Sequence, residues 1–256
     1  MFMKFVFFRR FQTGLVLLLA ALLSACAAPK SASVHGGAIA ANPWALASCE
    51  APGAGAWSTY RLPGKKPSEF NYQLLDGRAA MAATANGSAS MLRRVMRVEP
   101  AQLGKLNFSW KLPDLIEYAD LSDREFDDSP VRVVLAFEGD RSRFSAKNAI
   151  LSELAQLLTG DELPYATLMY VWCNVCAPNE VIQNPRTDRI RKLPLESGPA
   201  KLNRWLDYER DIRQDFERAF GEAPGALTSV SIMTDTDNTK SRARAYYGAL
   251  RFVPKP

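Results

Sequence analysis

Apolar and polar residues alternate over many short segments of the chain, which is the pattern of strands with one buried face. In "LNFSWKL", Leu106, Phe108 and Trp110 fall on one face, and in "VRVVLAFEG" Arg132 and Glu138 lie opposite an apolar face. The pattern continues in four later segments: "ATLMYVW", "IRKLPLES", "TSVSIMT" and "RAYYGALRFV". Short strands separated by turn residues predict a mainly β fold, an antiparallel β-sandwich or jelly roll.

An Asn-Gly pair separates the β-like segments "AAMAATA" and "SASMLRRVMRV". Asn-Gly suits the type I′ turn that joins two adjacent strands. We therefore expect a β-hairpin with Asn86 and Gly87 at its tip.

Two segments have the period of a helix instead. "SAKNAILSELAQLLTG" starts with Ser145, a good N-cap residue, and ends at Gly160. "LDYERDIRQDFERAFG" stops at Gly221 and has one apolar stripe, formed by Tyr208, Ile212, Phe216 and Ala219. We expect two short helices that cover a sheet or close its end.

Residues 1–25 are typical of a signal peptide, with three positive charges followed by an apolar run that is short for a membrane span. The run ends in Leu23-Ser24-Ala25-Cys26, which resembles the lipobox of bacterial lipoproteins. This resemblance implies cleavage before Cys26 and lipidation of that cysteine with palmitate-type acyl chains, which would anchor the protein to a membrane. Ala27 stands where an aspartate would favour inner-membrane retention, so we expect an outer-membrane lipoprotein on the periplasmic side.

Residues 26–43 are small, polar and glycine-bearing, which predicts a flexible tether. Residues 44–256 have a length at which a single β-sandwich domain is common. Without the signal peptide the net charge falls from +5 to about +2, with 29 Lys and Arg against 27 Asp and Glu. Because the basic residues are also scattered, the pattern of a nucleic-acid-binding protein is missing.

The single histidine, His35, lies in the predicted tether. A Ser-His-Asp triad, a Cys-His pair, a histidine base and an ordinary histidine zinc site are therefore excluded from the predicted domain. Any catalysis would depend on carboxylates, Tyr, Lys, Arg or Cys.

The motif "WCNVCAP" resembles the thioredoxin active-site signature, but Ala177-Pro178-Asn179 predicts a loop where that fold begins a helix. A structural disulfide in an oxidising periplasm is the favoured interpretation. Three cysteines remain after lipidation, Cys49, Cys173 and Cys176, and Cys173–Cys176 is one candidate pair. The spacing alone does not decide the pairing, and a lone Cys-x-x-Cys is weak evidence for zinc.

The stretch "SIMTDTDNTKS" places several oxygen-bearing side chains directly after a strand. If the chain curls there, Asp235, Asp237 and Asn238 would offer the hard oxygen ligands that calcium prefers. The alternative is a cluster of turns in which these side chains bond to the backbone. A second acidic segment, "YADLSDREFDDSPVRV", contains Asp127 and Asp128, and we expect it to be a solvated turn-forming loop.

Tyr and Trp near strand ends, with Asp, Asn and Arg beside them, can form a sugar platform on a sandwich. Six residues are the candidate ligand-binding residues: Arg132, Tyr170, Trp172, Asp235, Asp237 and Asn238. The sequence thus predicts a carbohydrate-binding or envelope-binding protein. Two alternatives are a polysaccharide lyase or glycosidase that uses Tyr and carboxylates, and a structural envelope lipoprotein without a small ligand.

Several longer motifs carry a family resemblance: "LPGKKPSEF", "LLDGRAAMAATANGSASMLRR", "FDDSPVRVVLAFEGD", "RDIRQDFERAFGEAP" and "SIMTDTDNTKSRARAYYGALRF". From about Trp57 to Phe252 the chain resembles the uncharacterised bacterial family called domain of unknown function 3047. The resemblance brings no established activity. It implies a strand-rich fold similar to the galactose-binding-like jelly rolls of carbohydrate-binding modules, and a fold alone does not define a function.

Overall fold

Two β-sheets form the framework of the part of the chain that the computed structural model describes, which is residues 35–49 and 53–255. The strands are β1 (His35–Ala38), β2 (Ser58–Arg61), β3 (Glu69–Leu75), β4 (Arg78–Asn86), β5 (Ser90–Val98), β6 (Lys105–Lys111), β7 (Ser129–Phe137), β8 (Ala166–Cys173), β9 (Ile182–Gln183), β10 (Ile190–Ser197), β11 (Trp205–Asp211), β12 (Leu227–Asp235), β13 (Arg242–Tyr247) and β14 (Arg251–Val253). The α-helices are α1 (Pro43–Leu46), α2 (Ala146–Thr159) and α3 (Ile212–Phe220). Two 3₁₀ turns cover Pro100–Gln102 and Arg141–Arg143.

Sheet 1 has the strand order β1-β2-β5-β12-β7-β8-β10-β9, and sheet 2 has the order β11-β6-β13-β4-β3 with β14 also paired to β6. The described strand pairs are antiparallel except for β8 with β10, which run parallel. The prediction of a mainly β sandwich of the jelly-roll type is confirmed. Residues 33–256 form one compact unit. Because the two sheets share a core, this unit can fold on its own.

The inward faces of the two sheets form the core. Leu106, Phe108 and Trp110 of β6 are buried, as their alternation predicts, and they share one apolar cluster with Val133 and Leu135 of β7. Burying each large apolar side chain stabilises the fold by about 1.5–3 kcal/mol. The period of two along each strand therefore determines which face lies inside.

The predicted hairpin at Asn86-Gly87 is wrong. The strand before it, β4, belongs to sheet 2, and the strand after it, β5, belongs to sheet 1. A type I′ turn needs positive φ at both central residues. Only Gly87 has it, so this segment is a corner between sheets. The tight hairpin is instead at Asp76 and Gly77, which both have positive φ and join β3 to β4.

Both predicted helices are present, with different bounds for the second. Helix α2 begins after the N-cap Ser145 and ends at Gly160, as predicted. Helix α3 starts only at Ile212, because residues 205–211 pair with β6 as strand β11. Tyr208 therefore lies on a strand, and its predicted place in the helical stripe is wrong.

The predicted tether also contains regular structure. Residues His35–Ala38 form β1 and pair with β2 at the edge of sheet 1. Asn42 caps α1, whose Trp44 is fully buried and donates its indole N–H to the Gly248 carbonyl. The predicted signal peptide, Cys26 and the rest of the tether lie outside the described residues. Within the described part of the chain, no helix is long and apolar enough to cross a membrane.

Candidate functional site

Arg132 is the centre of a buried ion network at one end of sheet 1. It points away from the core and is only 3% exposed. Its Nε donates to Asp235 Oδ1 at 2.9 Å, and its second guanidinium nitrogen donates to Asp127 Oδ1 at 3.1 Å. Lys192, from β10, donates to the same Asp127 oxygen at 2.6 Å and to the Leu121 carbonyl at 2.6 Å. Asp127 thus links two buried cations.

Burial changes the acidity of two groups in this network. It raises the pKa of Asp235 to about 6, although the Arg132 charge opposes the change. It lowers the pKa of Lys192 to about 8, an effect that Arg132 strengthens and Asp127 opposes. Both groups therefore have pKa values closer to neutrality than exposed Asp and Lys.

The stretch after β12 folds around Asp128. Its carboxylate accepts hydrogen bonds from the backbone of Asn238 at 3.2 Å and of Thr239 at 2.7 Å, and from the Thr239 hydroxyl at 2.7 Å. Asp237 pairs with Lys65. The turn is therefore held by a carboxylate from another strand end. Asp127 and Asp128 are buried here, so the prediction of a solvated loop at these two residues is wrong.

Three of these carboxylates could hold a metal ion. One oxygen each from Asp128, Asp235 and Asp237 lies within 4.8 Å of the others, and all three residues are buried. The predicted trio had Asn238 in place of Asp128, but the Asn238 amide nitrogen donates to the Arg124 carbonyl at 2.9 Å. Because β7 pairs with β12, Asp128 reaches the site from the neighbouring strand.

The other two candidate binding residues, Tyr170 and Trp172, are buried and cannot form a sugar platform. The Tyr170 hydroxyl donates to Asp215 at 2.8 Å, and the Trp172 indole N–H donates to the Gly198 carbonyl at 3.0 Å. Both side chains point into the core because they share a strand face with Leu168. Arg132 is likewise engaged by protein groups: the carboxylates of Asp127 and Asp235 and the Met169 sulfur.

Cys173 and Cys176 form a disulfide, and Cys49 is free and buried. The bridge closes the end of β8, and a non-helical segment follows it. This is the context of a structural disulfide, because the helix N-terminus that activates a thioredoxin-type thiol is missing from this segment. Burial raises the pKa of Cys49 to about 12, so this thiol is inert as a nucleophile.

A groove of about 830 Å³ lies between the outer face of sheet 1 and α2. Its floor contains side chains from five neighbouring strands: Tyr60, Met91, Met233, Val134 and Met169. Tyr60 is directly opposite Met91, Met91 opposite Met233, and Val134 opposite Met169. The wall is the side of α2 that carries Leu151, Leu154, Ala155 and Leu158. The lining is mostly aliphatic and thioether.

Helix α2 has its polar side buried and its apolar stripe open. Asn148 and Ser152 are buried: Asn148 donates to Asp188 at 2.5 Å, and Ser152 accepts from Arg141 at 3.0 Å. In contrast, Leu158 is 53% exposed and Leu157 is 83% exposed. An amphipathic helix normally buries its apolar stripe. Here that stripe faces the groove and the solvent.

A charged side chain lies in the same groove. The Arg93 guanidinium stacks over the Tyr60 ring at 4.0 Å and lies 3.4 Å from Asp161. Its Nε–H is buried and has no hydrogen-bond acceptor among the described residues. A buried donor of this kind is costly unless a bound molecule accepts from it.

The sequence interpretation missed this groove, although part of the signal was present. Strands β7 and β8 are apolar at nearly every position, including those that face away from the core. Such strands need cover on both faces. Helix α2 was correctly expected to lie over a sheet. The gap between α2 and sheet 1 depends on the contacts of Asn148 with Asp188 and of Ser152 with Arg141, which the sequence pattern does not show.

A protein-family model described as "Protein of unknown function (DUF3047)" matches residues 55–251. No curated protein matches the sequence. Endoglucanase 3 of Trichoderma harzianum, from family GH12, is 7% identical with a TM-score of 0.41, covering 78% of this chain and 91% of that chain. The xyloglucanase domain of NopAA from Sinorhizobium fredii, solved with cellobiose, is 8% identical with a TM-score of 0.35, covering 78% and 96%. Scores this low carry no inference about function.

Proposed function

This chain belongs to the DUF3047 family, and we propose that it is a binding protein for an amphipathic envelope molecule. The ligand's acyl chain would lie in the groove between sheet 1 and α2. The observation that carries the proposal is the open leucine stripe of α2 facing a floor of methionine and valine.

The volume and lining of the groove fit one elongated apolar ligand. A volume of about 830 Å³ falls within the roughly 300–1,000 Å³ typical of small-molecule sites. Met91, Met169 and Met233 are unbranched and adapt to irregular apolar shapes. Each methylene group buried there would contribute about 0.8 kcal/mol. A long acyl chain can thus bind without specific polar contacts along its length.

Arg93 would fix the polar end of the ligand. Its buried Nε–H, which lacks an acceptor among the described residues, can donate to an ester or carboxylate oxygen. A sugar fits this groove less well, because sugars stack on open aromatic faces. Tyr60 is the aromatic side chain beside Arg93, and one face of its ring is covered by the guanidinium.

The acidic side chains at the groove favour binding over glycoside hydrolysis. Glu138 is held by Arg97 at 2.8 Å, Glu162 lies 3.2 Å from Arg141, and Asp161 lies 3.4 Å from Arg93. A glycosidase needs one carboxyl group that is protonated and a second that faces it across the substrate. The hydrogen bond from Arg97 lowers the pKa of Glu138, so this carboxyl group does not supply that acid.

The location proposed for the protein is the periplasmic side of the outer membrane, with a lipid anchor on Cys26. The lipobox-like sequence before Cys26 supports this. Mass spectrometry of the N-terminal peptide tests it: acylated Cys26 in the membrane fraction is expected. A Cys26→Ala chain found in the same membrane fraction would contradict it.

Asp128, Asp235 and Asp237 form an acidic cluster at one end of sheet 1. We propose that cationic side chains of the protein neutralise this cluster in place of calcium. Lys65 pairs with Asp237, and Arg132 pairs with Asp235. Lys240 also donates to the Asp237 carbonyl at 2.5 Å. Calcium binding at Asp128, Asp235 and Asp237 would require Lys65 to leave, so the network supports a structural role.

The experiment for the proposed function is a titration of residues 33–256 with a dansyl-labelled undecanoate, in which the fluorescence of the dansyl group is measured. Saturable binding of one probe per chain is expected, with a blue shift because the dye enters an apolar site. Competition by a monoacylglycerol and by palmitate then distinguishes an ester from a free acid. A folded protein that does not change the probe fluorescence would contradict the proposal.

A further inference from the structure

We infer a second binding site, for the hydroxyl groups of a neutral sugar, in a depression on sheet 2. The depression has a volume of about 570 Å³. It forms because β13 pairs with β6 only through Tyr246 and Tyr247, and β14 resumes the pairing at Arg251. Residues 248–250 leave the strand ladder between these two pairings and bond instead to the segment at α1, where Trp44 donates to the Gly248 carbonyl and Cys49 to the Leu250 carbonyl.

The shape of this depression depends on a glycine. The Gly248 N–H donates to the Ser109 carbonyl at 2.9 Å. A Cβ atom at Gly248 would lie 2.1 Å from Ser109 Oγ, so a larger residue there would require Ser109 to move. The close approach keeps the floor of the depression clear of side chains at this point.

Asn107 is the polar group that points to a ligand. It lies in β6 between Glu209 of β11 and Arg251 of β14, which are its direct neighbours across the sheet. All three residues line the depression. The Asn107 Oδ1 atom is buried and accepts no hydrogen bond from the described residues. Such an acceptor is satisfied when a ligand donates a hydrogen bond to it.

The charged side chains around the depression favour a neutral ligand that can both donate and accept hydrogen bonds. Two acids, Asp207 and Glu209, and two arginines, Arg78 and Arg251, line the depression. Arg78 reaches over to Asp207 with bonds of 2.6 and 3.2 Å. Because the charges balance, neither an anion nor a cation is favoured. Glu209 is already paired with Lys105, so a hydroxyl group would donate to Asn107 and accept from Arg251.

The spacing and the flanking ring also suit a sugar. Neighbouring strands lie about 4.8 Å apart, so the row Glu209–Asn107–Arg251 offers polar groups at intervals comparable to the width of one sugar ring. Trp205 is two residues before Asp207 on the same face of β11. Its indole N–H donates to Asp76 at 3.1 Å, and Arg78 stacks over its ring at 5.3 Å. The ring is therefore held in place near Asp207, and because Arg78 covers one of its faces, only the other face could contact an apolar sugar face.

The test is binding of the full chain, in a polyoxyethylene detergent without a sugar headgroup, to arrayed oligosaccharides. The probes are cellotetraose, chitotetraose and, as the charged comparison, tetragalacturonate. We expect a neutral probe to bind, and Asn107→Ala to weaken that binding about tenfold through loss of the hydrogen bond. Asn71→Ala is the matched control, because Asn71 is exposed on edge strand β3 and lies outside the depression.

Thermal melting separates this role from a structural one. Because Asn107 Oδ1 has no partner to lose, Asn107→Ala is expected to melt at the wild-type temperature or above it. A lower melting temperature would assign Asn107 to folding and overturn the inference. So would the absence of neutral-sugar binding at millimolar concentration, or binding that Asn107→Ala leaves unchanged. The acyl-chain groove involves sheet 1, so the dansyl probe should bind Asn107→Ala normally whatever the array shows.

Discussion

Lys192 and Asp127 form a buried ion pair, with 2.6 Å between Lys192 Nζ and Asp127 Oδ1. The pair ties β10 to the segment before β7, and Arg132 connects it to the end of β12. Asn184 also donates to Asp127 at 3.0 Å. The residues that the sequence interpretation proposed as a ligand site at this end of sheet 1 thus serve to hold three strands together.

Replacing Lys192 should destabilise the protein strongly. Lys192→Met leaves the buried Asp127 with one cation fewer, and the loss of one partner from a buried pair costs about 3–5 kcal/mol. We expect a value near the lower end, because Arg132 still binds Asp127. The measurement is urea unfolding.

The matched control for that measurement is Lys105→Met, which breaks an exposed pair with Glu209. Exposed pairs contribute much less to stability than buried ones, so Lys105→Met should cost little. If the two variants lose similar stability, the buried network is not what stabilises this end of sheet 1.

The same lysine should give the protein a distinct pH dependence. The pKa of Lys192 is about 8 in the folded chain and near 10.5 when unfolded. Between these values the unfolded chain binds more protons, so the free energy of unfolding rises with pH. Relative to Lys192→Met, the wild type should gain about 1.6 kcal/mol between pH 8 and 9.5, since Lys192 is half protonated in the folded chain at pH 8. Parallel stability curves for the two proteins would show that Lys192 is not desolvated.

Calcium should stabilise the protein only after Lys65 is removed. Lys65 neutralises Asp237 in the acidic cluster, so millimolar calcium is expected to leave the wild-type melting temperature unchanged. In Lys65→Met the Asp237 carboxylate loses its ion-pair partner while Arg132 still holds Asp235, and calcium should raise the melting temperature by more than about 2 °C. Stabilisation of the wild type by calcium, with magnesium as the control ion, would instead show that the ion displaces Lys65.

The alternation of apolar residues was sufficient to predict the sandwich but did not assign strands to sheets. Strand β4 is apolar at nearly every position, and β4 and β5 each have one pairing partner far along the chain, β13 and β12 respectively. The dipeptide Asn86-Gly87 is typical of a hairpin turn, but tertiary packing places β4 and β5 in different sheets, so it forms the connection between them. Asp76-Gly77, an equally good turn signal, is the true hairpin.

The candidate site was predicted less well than the fold. When both faces of a strand are apolar, its sequence does not show which side chains point into the core. Tyr170 and Trp172 could have pointed to either face of β8, and both point inward. The meeting of Asp128 with Asp235 follows from the pairing of β7 with β12. The groove depends on which side of α2 packs against the protein. The hydrogen bond from Asn148 to Asp188 holds the polar side there, whereas an amphipathic helix normally buries its apolar stripe.

The central claim, that an acyl chain lies between sheet 1 and α2, is tested most directly by filling the groove. Ala155 lines it, whereas Leu157 is on the same helix, points to solvent and is 83% exposed. Binding of the dansyl-labelled undecanoate is measured for Ala155→Trp and Leu157→Trp in residues 33–256. The account predicts that Ala155→Trp lowers the affinity at least about tenfold, since the indole occupies space that the chain needs, and that Leu157→Trp does not. Equal affinity in the two folded variants would contradict it.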